Sequence, residues 1–168
     1  LSTARINAKL IPAIQASKRS SLAAVASRSR EKSKQYAAEW KIPHAFGSYD
    51  EMLSSDTVDA VYISLPNDQH AEWTVRALQA GKHVLCEKPF ALTVEEVDRM
   101  TDAAQVSGRV LAEAFMYLHH PQTRAVLQTI RSGRIGDIRA IQGAFHFSLS
   151  NLQDPRAIPA QGGGSIWD

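Results

Sequence analysis

Short apolar runs alternate along the chain with stretches in which apolar residues return every three or four positions. Ile6, Leu10, Ile11 and Ile14 fall on one helical face near the start. Residues 22–26 (LAAVA) then form an apolar run of buried-strand type, and the charged stretch 30–40 follows with helical character. The unit repeats. Residues 58–64 (VDAVYIS) predict a strand, Pro66-Asn67-Asp68 breaks it, and Ala71, Val75 and Leu78 recur at helical spacing until Gly81 stops the helix. A third unit follows, with a strand at 83–86 (HVLC) and a helix opened by Thr93 and Glu96, a capping-box pair, which ends before Gly108. Residues 109–112 (RVLA) predict one more short strand. Strand and helix alternating in this way imply a parallel sheet covered on both faces, so the fold class is α/β.

The pattern changes near Met116. Residues 121–131 predict a helix closed by Gly133, and from 141 to 149 the residues Ile141, Phe145, Phe147 and Leu149 share one parity, with Gln142, His146 and Ser148 on the other. Such alternation predicts a half-buried strand of an antiparallel sheet. The expected boundary lies near residue 118, with one domain over 1–118 and the beginning of an α+β domain over 119–168. The chain opens on Leu1 already entering a helix and closes on Gly162-Gly163-Gly164-Ser165-Ile166-Trp167-Asp168, so further residues are expected on both sides.

Composition narrows the functional classes. With 44% hydrophobic and 21% charged residues the chain is of globular type. Its 19 Lys+Arg and 17 Asp+Glu give a formal charge of +2, and the basic residues are scattered, which argues against a nucleic-acid partner. Cys86, the single cysteine, rules out an internal disulfide and suits a reducing cytoplasm. No uncharged apolar run approaches the roughly 20 residues of a membrane span. His119 and His120 are adjacent and point apart, so no metal site is expected.

In an open parallel sheet, ligands bind beyond the carboxyl ends of the strands. Four segments lie at such places. Ser2, Thr3, Ala4, Arg5 and Ile6 lead into a helix whose first amides suit a phosphate, or else simply cap it. Ser27-Arg28-Ser29 follows the LAAVA strand. An arginine with hydroxyl neighbours there suits the 2′-phosphate of NADP, whereas NAD binding calls for an acid, and the first acid is Glu31. In Leu65-Pro66-Asn67-Asp68-Gln69-His70, Asn67 or Asp68 caps the next helix or faces a ligand, and His70 packs or binds. Finally, Glu87-Lys88-Pro89 places a lysine directly after a strand, where desolvation lowers an ammonium pKa and fits it for proton exchange; a surface ion pair is the alternative fate.

Together these segments resemble the glucose-fructose oxidoreductase/inositol dehydrogenase/rhizopine catabolism family (Gfo/Idh/MocA) of NAD(P)-dependent oxidoreductases. The resemblance rests on Pro66-Asn67 with His70, on the block from Ala80-Gly81-Lys82 to Cys86-Glu87-Lys88-Pro89, on Glu113-Ala114-Phe115-Met116-Tyr117 with His120-Pro121-Gln122, and on the closing glycine run to Asp168. The starting segment, the Ser27-Arg28 pair and the Ala-Phe-Met segment are most similar to the branch of NADP-dependent aldose dehydrogenases and trans-dihydrodiol dehydrogenases. The resemblance implies a Rossmann-type, doubly wound dinucleotide-binding domain lacking its first strand, then the start of a substrate and oligomerisation domain with a mainly antiparallel sheet.

By the same resemblance, Lys88 and Asp168 are catalytic. Lys88 handles the proton of a substrate hydroxyl, and Asp168 lies near the substrate. Ser2 to Ile6, Ser27, Arg28, Leu65, Pro66, Asn67, His70, Glu87 and Lys88 line the cofactor, which is NADP by preference, with NAD possible. The implied substrate is a sugar or cyclic diol, and the implied assembly a homo-oligomer, a dimer or tetramer. The family's glycine turn would precede Leu1, and its tyrosine or histidine acid-base partner would follow Asp168, so the 168 residues alone are expected to be inactive. Two further readings stand beside this one: an inositol or other polyol dehydrogenase of the same family, and a non-catalytic NAD(P)-binding regulator, which has no need of Lys88.

Overall fold

The computed structural model describes residues 1–146 together with 148, 154, 157–161, 163 and 164. Its elements run α1 (Asn7–Ala16), β1 (Ala24–Ala26), α2 (Arg30–Trp40), β2 (His44–Phe46), α3 (Tyr49–Leu53), β3 (Ala60–Ile63), α4 (His70–Gln79), β4 (His83–Cys86), α5 (Val94–Ser107), β5 (Leu111–Glu113) and α6 (Pro121–Arg131). Single 3-10 turns occupy Asn67–Gln69, Met116–His119 and Pro159–Gln161. Every strand pairing among the described residues is parallel. One sheet joins β1 to β2 and the other has the order β3-β4-β5, with Ile63 beside Cys86 and Cys86 beside Glu113.

The helix ends follow the signals in the sequence. Thr93 accepts a hydrogen bond from the Glu96 amide while the Glu96 carboxylate accepts from the Leu92 amide, and Gly108 ends α5 at φ +63°. Gly81 does the same after α4 at φ +76°, a conformation open to residues lacking a Cβ. β2 and α3 were not foreseen. The three residues His44-Ala45-Phe46 carry no periodicity of their own and are a strand because β1 offers them a ladder. α3 is one capped turn, with Ser48 accepting from the Glu51 amide.

Two apolar clusters hold the layers together. The larger packs Ile63, Val61 and Val84 of the second sheet against Leu78 and Ala77 of α4 and Met100 of α5. Each fully buried aliphatic side chain contributes about 1.5–3 kcal/mol. The smaller joins Ile11, Val25, Ala37 and Ile42 on the outer side of β1. Between the sheets lies a cavity of about 700 Å³, bounded by Ala24 and Val25 of β1 and by Ala60, Val61 and Tyr62 of β3. Among the described residues no ladder joins β1 to β3 across this gap.

Beyond β5 the chain changes character. α6 buries none of its residues, and Val126, Ile135, Ile138, Ile141 and Phe145 are exposed. The strand expected over 141–149 is not formed over 141–146, which pair with no neighbour among the described residues. A half-buried strand needs a partner along its edge. Phe147 and Leu149 lie outside the described residues.

Candidate cofactor and active site

The carboxyl ends of β1 and β3 and the approach to α1 converge on a cavity of about 360 Å³. Ser27 prolongs β1 by donating its amide to the Phe46 carbonyl at 3.2 Å, and Ser29 caps α2 by accepting from the Lys32 amide. Arg28 is thus an exposed side chain between two anchored serines. Lys32, from the first turn of α2, lines the same cavity, as does Tyr49 at the start of α3. Burial pushes the Tyr49 hydroxyl above its ordinary pKa, while the charge of the nearby Arg28 pulls the other way. On the far side of Tyr49, the Trp73 ring meets it edge-on at 4.8 Å.

The other wall is formed by Ser2, Thr3 and Ala4 with Ser64, Leu65 and Pro66. A buried polar seam fixes it. The Ser2 and Ser64 hydroxyls are 2.8 Å apart, Ser64 donates to Asn7 Oδ1 at 2.8 Å, and Asn7 Nδ2 donates to the Ser2 carbonyl at 2.8 Å. The end of β3 and the start of α1 are therefore locked together.

Among the described residues lining this cavity are the cations Arg28 and Lys32, several hydroxyls and no carboxylate. Glu31 is not among them. Its own backbone amide and the Ser29 hydroxyl, which donates to Oε2 at 3.0 Å, hold its carboxyl below the usual range. Such a set fits a phosphate ester and offers no carboxylate to the 2′-hydroxyl of an unphosphorylated ribose.

Lys88 stands at the end of β4, half-buried, before a cis peptide bond to Pro89. The Glu87 amide donates to the Ile63 carbonyl at 2.9 Å, and the Tyr62 hydroxyl donates to the Glu87 carboxylate. Burial, together with that bond, pushes the Tyr62 hydroxyl upward, so it stays a phenol.

Of the expected cofactor residues, Ser2, Thr3, Ala4, Ser27, Arg28, Leu65 and Pro66 come together in one cavity. Glu87 and Lys88 stand on the adjoining strand end, and Asn67 opens the 3-10 turn after Pro66. Arg5 is exposed and Ile6 caps α1, and neither lines the cavity. His70 departs from its expected place along the cofactor. It is fully buried, with Nδ1 2.7 Å from the Pro89 carbonyl and Nε2 2.9 Å from the Leu65 carbonyl, and so has no free edge for a ligand. Asp168 lies outside the described residues. The sequence reading missed Lys32 and Tyr49. For Lys32 the signal was available, since a residue one turn into the helix after Arg28 shares its side of the loop. For Tyr49 none was, because its position depends on α3.

Comparison with known proteins gives the family and the fold. Residues 3–115 match the GFO_IDH_MocA model, described as an oxidoreductase family with an NAD-binding Rossmann fold. The chain is 41% identical to a D-xylose 1-dehydrogenase (NADP(+)) of Haloferax volcanii over 100% of its own length and 52% of that protein. It is 42% identical to a dTDP-3,4-didehydro-2,6-dideoxy-alpha-D-glucose 3-reductase of Streptomyces violaceoruber over 95% of this chain and 46% of that one. A solved 3-ketoreductase from Actinomadura kijaniata, in complex with TDP-benzene and NADP, superposes with a TM-score of 0.76 at 40% identity, covering 82% of this chain and 44% of that chain. The chain spans about half the length of these relatives.

Proposed function

The chain belongs to the Gfo/Idh/MocA oxidoreductase family, and from that premise we propose that its protein is an NADP-dependent enzyme acting between a hydroxyl and a carbonyl of a sugar or cyclic diol. The observation that carries this reading is the cavity holding Arg28, Lys32 and the serine hydroxyls without a carboxylate, next to the strand end that bears Lys88. NADP, when bound, supplies or accepts the hydride at its nicotinamide. The chain's own residues do the rest. Arg28 and Lys32 neutralise the 2′-phosphate while Ser27 and Ser29 add hydroxyls. The backbone of 2–4, held by the Ser2–Ser64–Asn7 seam, faces the pyrophosphate at the amino end of α1. Leu65, Pro66 and Asn67 form the floor toward the nicotinamide, where Glu87 lies near the ribose. Lys88 moves a proton at the reacting substrate oxygen. Asp168 keeps the place beside the substrate that the family resemblance gives it.

The reading extends to the whole protein. A dinucleotide-binding domain over 1–118 precedes a substrate domain that begins at 119, and copies associate through that second domain in the cytoplasm. The apolar side chains exposed from Met116 to Phe145 support association there. Among the described residues no helix is long and apolar enough to cross a membrane.

The test is Lys88→Met in the full-length protein. Turnover of NADP with an aldose or diol panel should fall by about 10²- to 10⁴-fold, with NADP affinity measured by fluorescence titration unchanged. Retained turnover would remove Lys88 from the mechanism.

A further inference from the structure

The loop between β4 and α5 carries Lys88 and has no regular structure, yet its backbone is tied at almost every residue. The tie that stands out is at the peptide group joining Pro89 to Phe90. His70 Nδ1 lies 2.7 Å from the Pro89 oxygen, and the Phe90 amide donates to Glu113 Oε1 at 3.0 Å. The two ends of a single peptide plane are therefore gripped by two side chains, one from the first residue of α4 and one from the last residue of β5. Gripping a plane at both its donor and its acceptor fixes rotation as well as position, which neither bond achieves singly.

We propose that His70 and Glu113 are positioning residues which clamp the Pro89–Phe90 peptide group and so hold Lys88 at the reacting oxygen; the inference rests on the role assigned to Lys88 above. Several features mark the clamp as more than satisfied core polarity. His70 reaches in two directions. Its Nε2, 2.9 Å from the Leu65 oxygen, ties the β3 end that walls the cofactor cavity to the loop that bears the lysine. Glu113 spends a carboxylate at a half-buried strand end. Burial pushes its carboxyl upward, and the Phe90 amide and the neighbouring His70 pull it back. An apolar residue at the end of β5 would avoid that desolvation, so the carboxylate is accounted for by the bond it makes.

Hydrogen exchange and kinetics on the full-length protein test the clamp. In Glu113→Ala, exchange of the Phe90 amide in the unliganded protein should quicken at least about tenfold, and kcat should fall on the order of 10²-fold, the cost of a lysine displaced by an ångström. KM for NADP should stay within about threefold. Glu113→Gln, which keeps an acceptor oxygen at the same reach, should return both readouts most of the way to wild type. Glu113→Asp, shorter by one methylene and still charged, covers the case in which the alanine variant fails to fold, and should shift both readouts in the alanine direction. Unchanged exchange at Phe90, or fast exchange with an unchanged kcat, overturns the proposal; so does a rise in KM for NADP equal to the fall in kcat. The exchange arm needs neither cofactor nor turnover. A Lys88→Met variant that stays active, beside a Phe90 amide that responds as expected, would therefore overturn the role of Lys88 and leave the clamp itself standing.

Discussion

Leu78 on α4 is fully buried and Leu127 on α6 is 42% exposed, although the two helices are nearly equal in length and both carry apolar residues at helical spacing. The difference lies in what the chain supplies opposite each. α4 lies against β3, β4 and α5, and its Ala71, Thr74, Ala77 and Leu78 close over the sheet. Among the described residues α6 has no such sheet. A stripe of apolar side chains states which face of a helix requires cover, and packing energy appears when cover is present.

Substitutions can break or sharpen this contrast. The largest effect is expected for Leu78→Ala, which should cost about 2–5 kcal/mol of unfolding free energy by urea titration, since it empties a closed site. Arg28→Ala acts at the surface of the same half. It should leave stability unchanged and weaken NADP binding by roughly 1.5–3 kcal/mol, with NAD affinity nearly unaltered, as read by fluorescence titration. A similar loss for NAD would mean that Arg28 does not face the 2′-phosphate.

The buried half should also answer to alkali. Burial pushes the Cys86 thiol up to about 12 from 9.0, so the folded chain keeps a proton that the unfolded chain releases. The stability this provides is complete below pH 9 and drains as the pH climbs toward 12, at up to about 1.4 kcal/mol per pH unit. Cys86→Ala should flatten that slope in unfolding curves taken between pH 9 and 11. An unchanged slope would show the thiol to be accessible in the folded state. Smallest of all is Leu127→Ala, expected within about 0.5 kcal/mol of wild type in this chain. A loss comparable to that of Leu78→Ala would show α6 to be covered.

Much of the site could be read before the fold was known, because its residues sit at strand ends and strand ends are marked in the sequence. Arg28 comes two residues after LAAVA and Lys88 two residues after HVLC, so their placement needed the α/β alternation and nothing more. His70 shows the limit. Its spacing after Pro66-Asn67 brought it close to the cofactor segment, but whether its ring faces the cleft or the interior depends on the first turn of α4, and the turn sends it inward onto Pro89 and Leu65. Tyr49 was hidden for a related reason, since it comes from outside the strand-end loops, on α3.

By itself the sequence determined the alternation of strands and helices, their parallel class, the caps at Thr93, Gly81 and Gly108, and the chemistry available beside each strand. These are local properties, set by side-chain periodicity, backbone freedom and residue type within a few positions. The tertiary structure alone decided that His44-Ala45-Phe46 becomes a strand, that Tyr49 meets Arg28, and that His70 and Glu113 meet across one peptide group from positions 43 residues apart in the chain. Such contacts depend on how separate elements are brought together, and no window of sequence contains both partners.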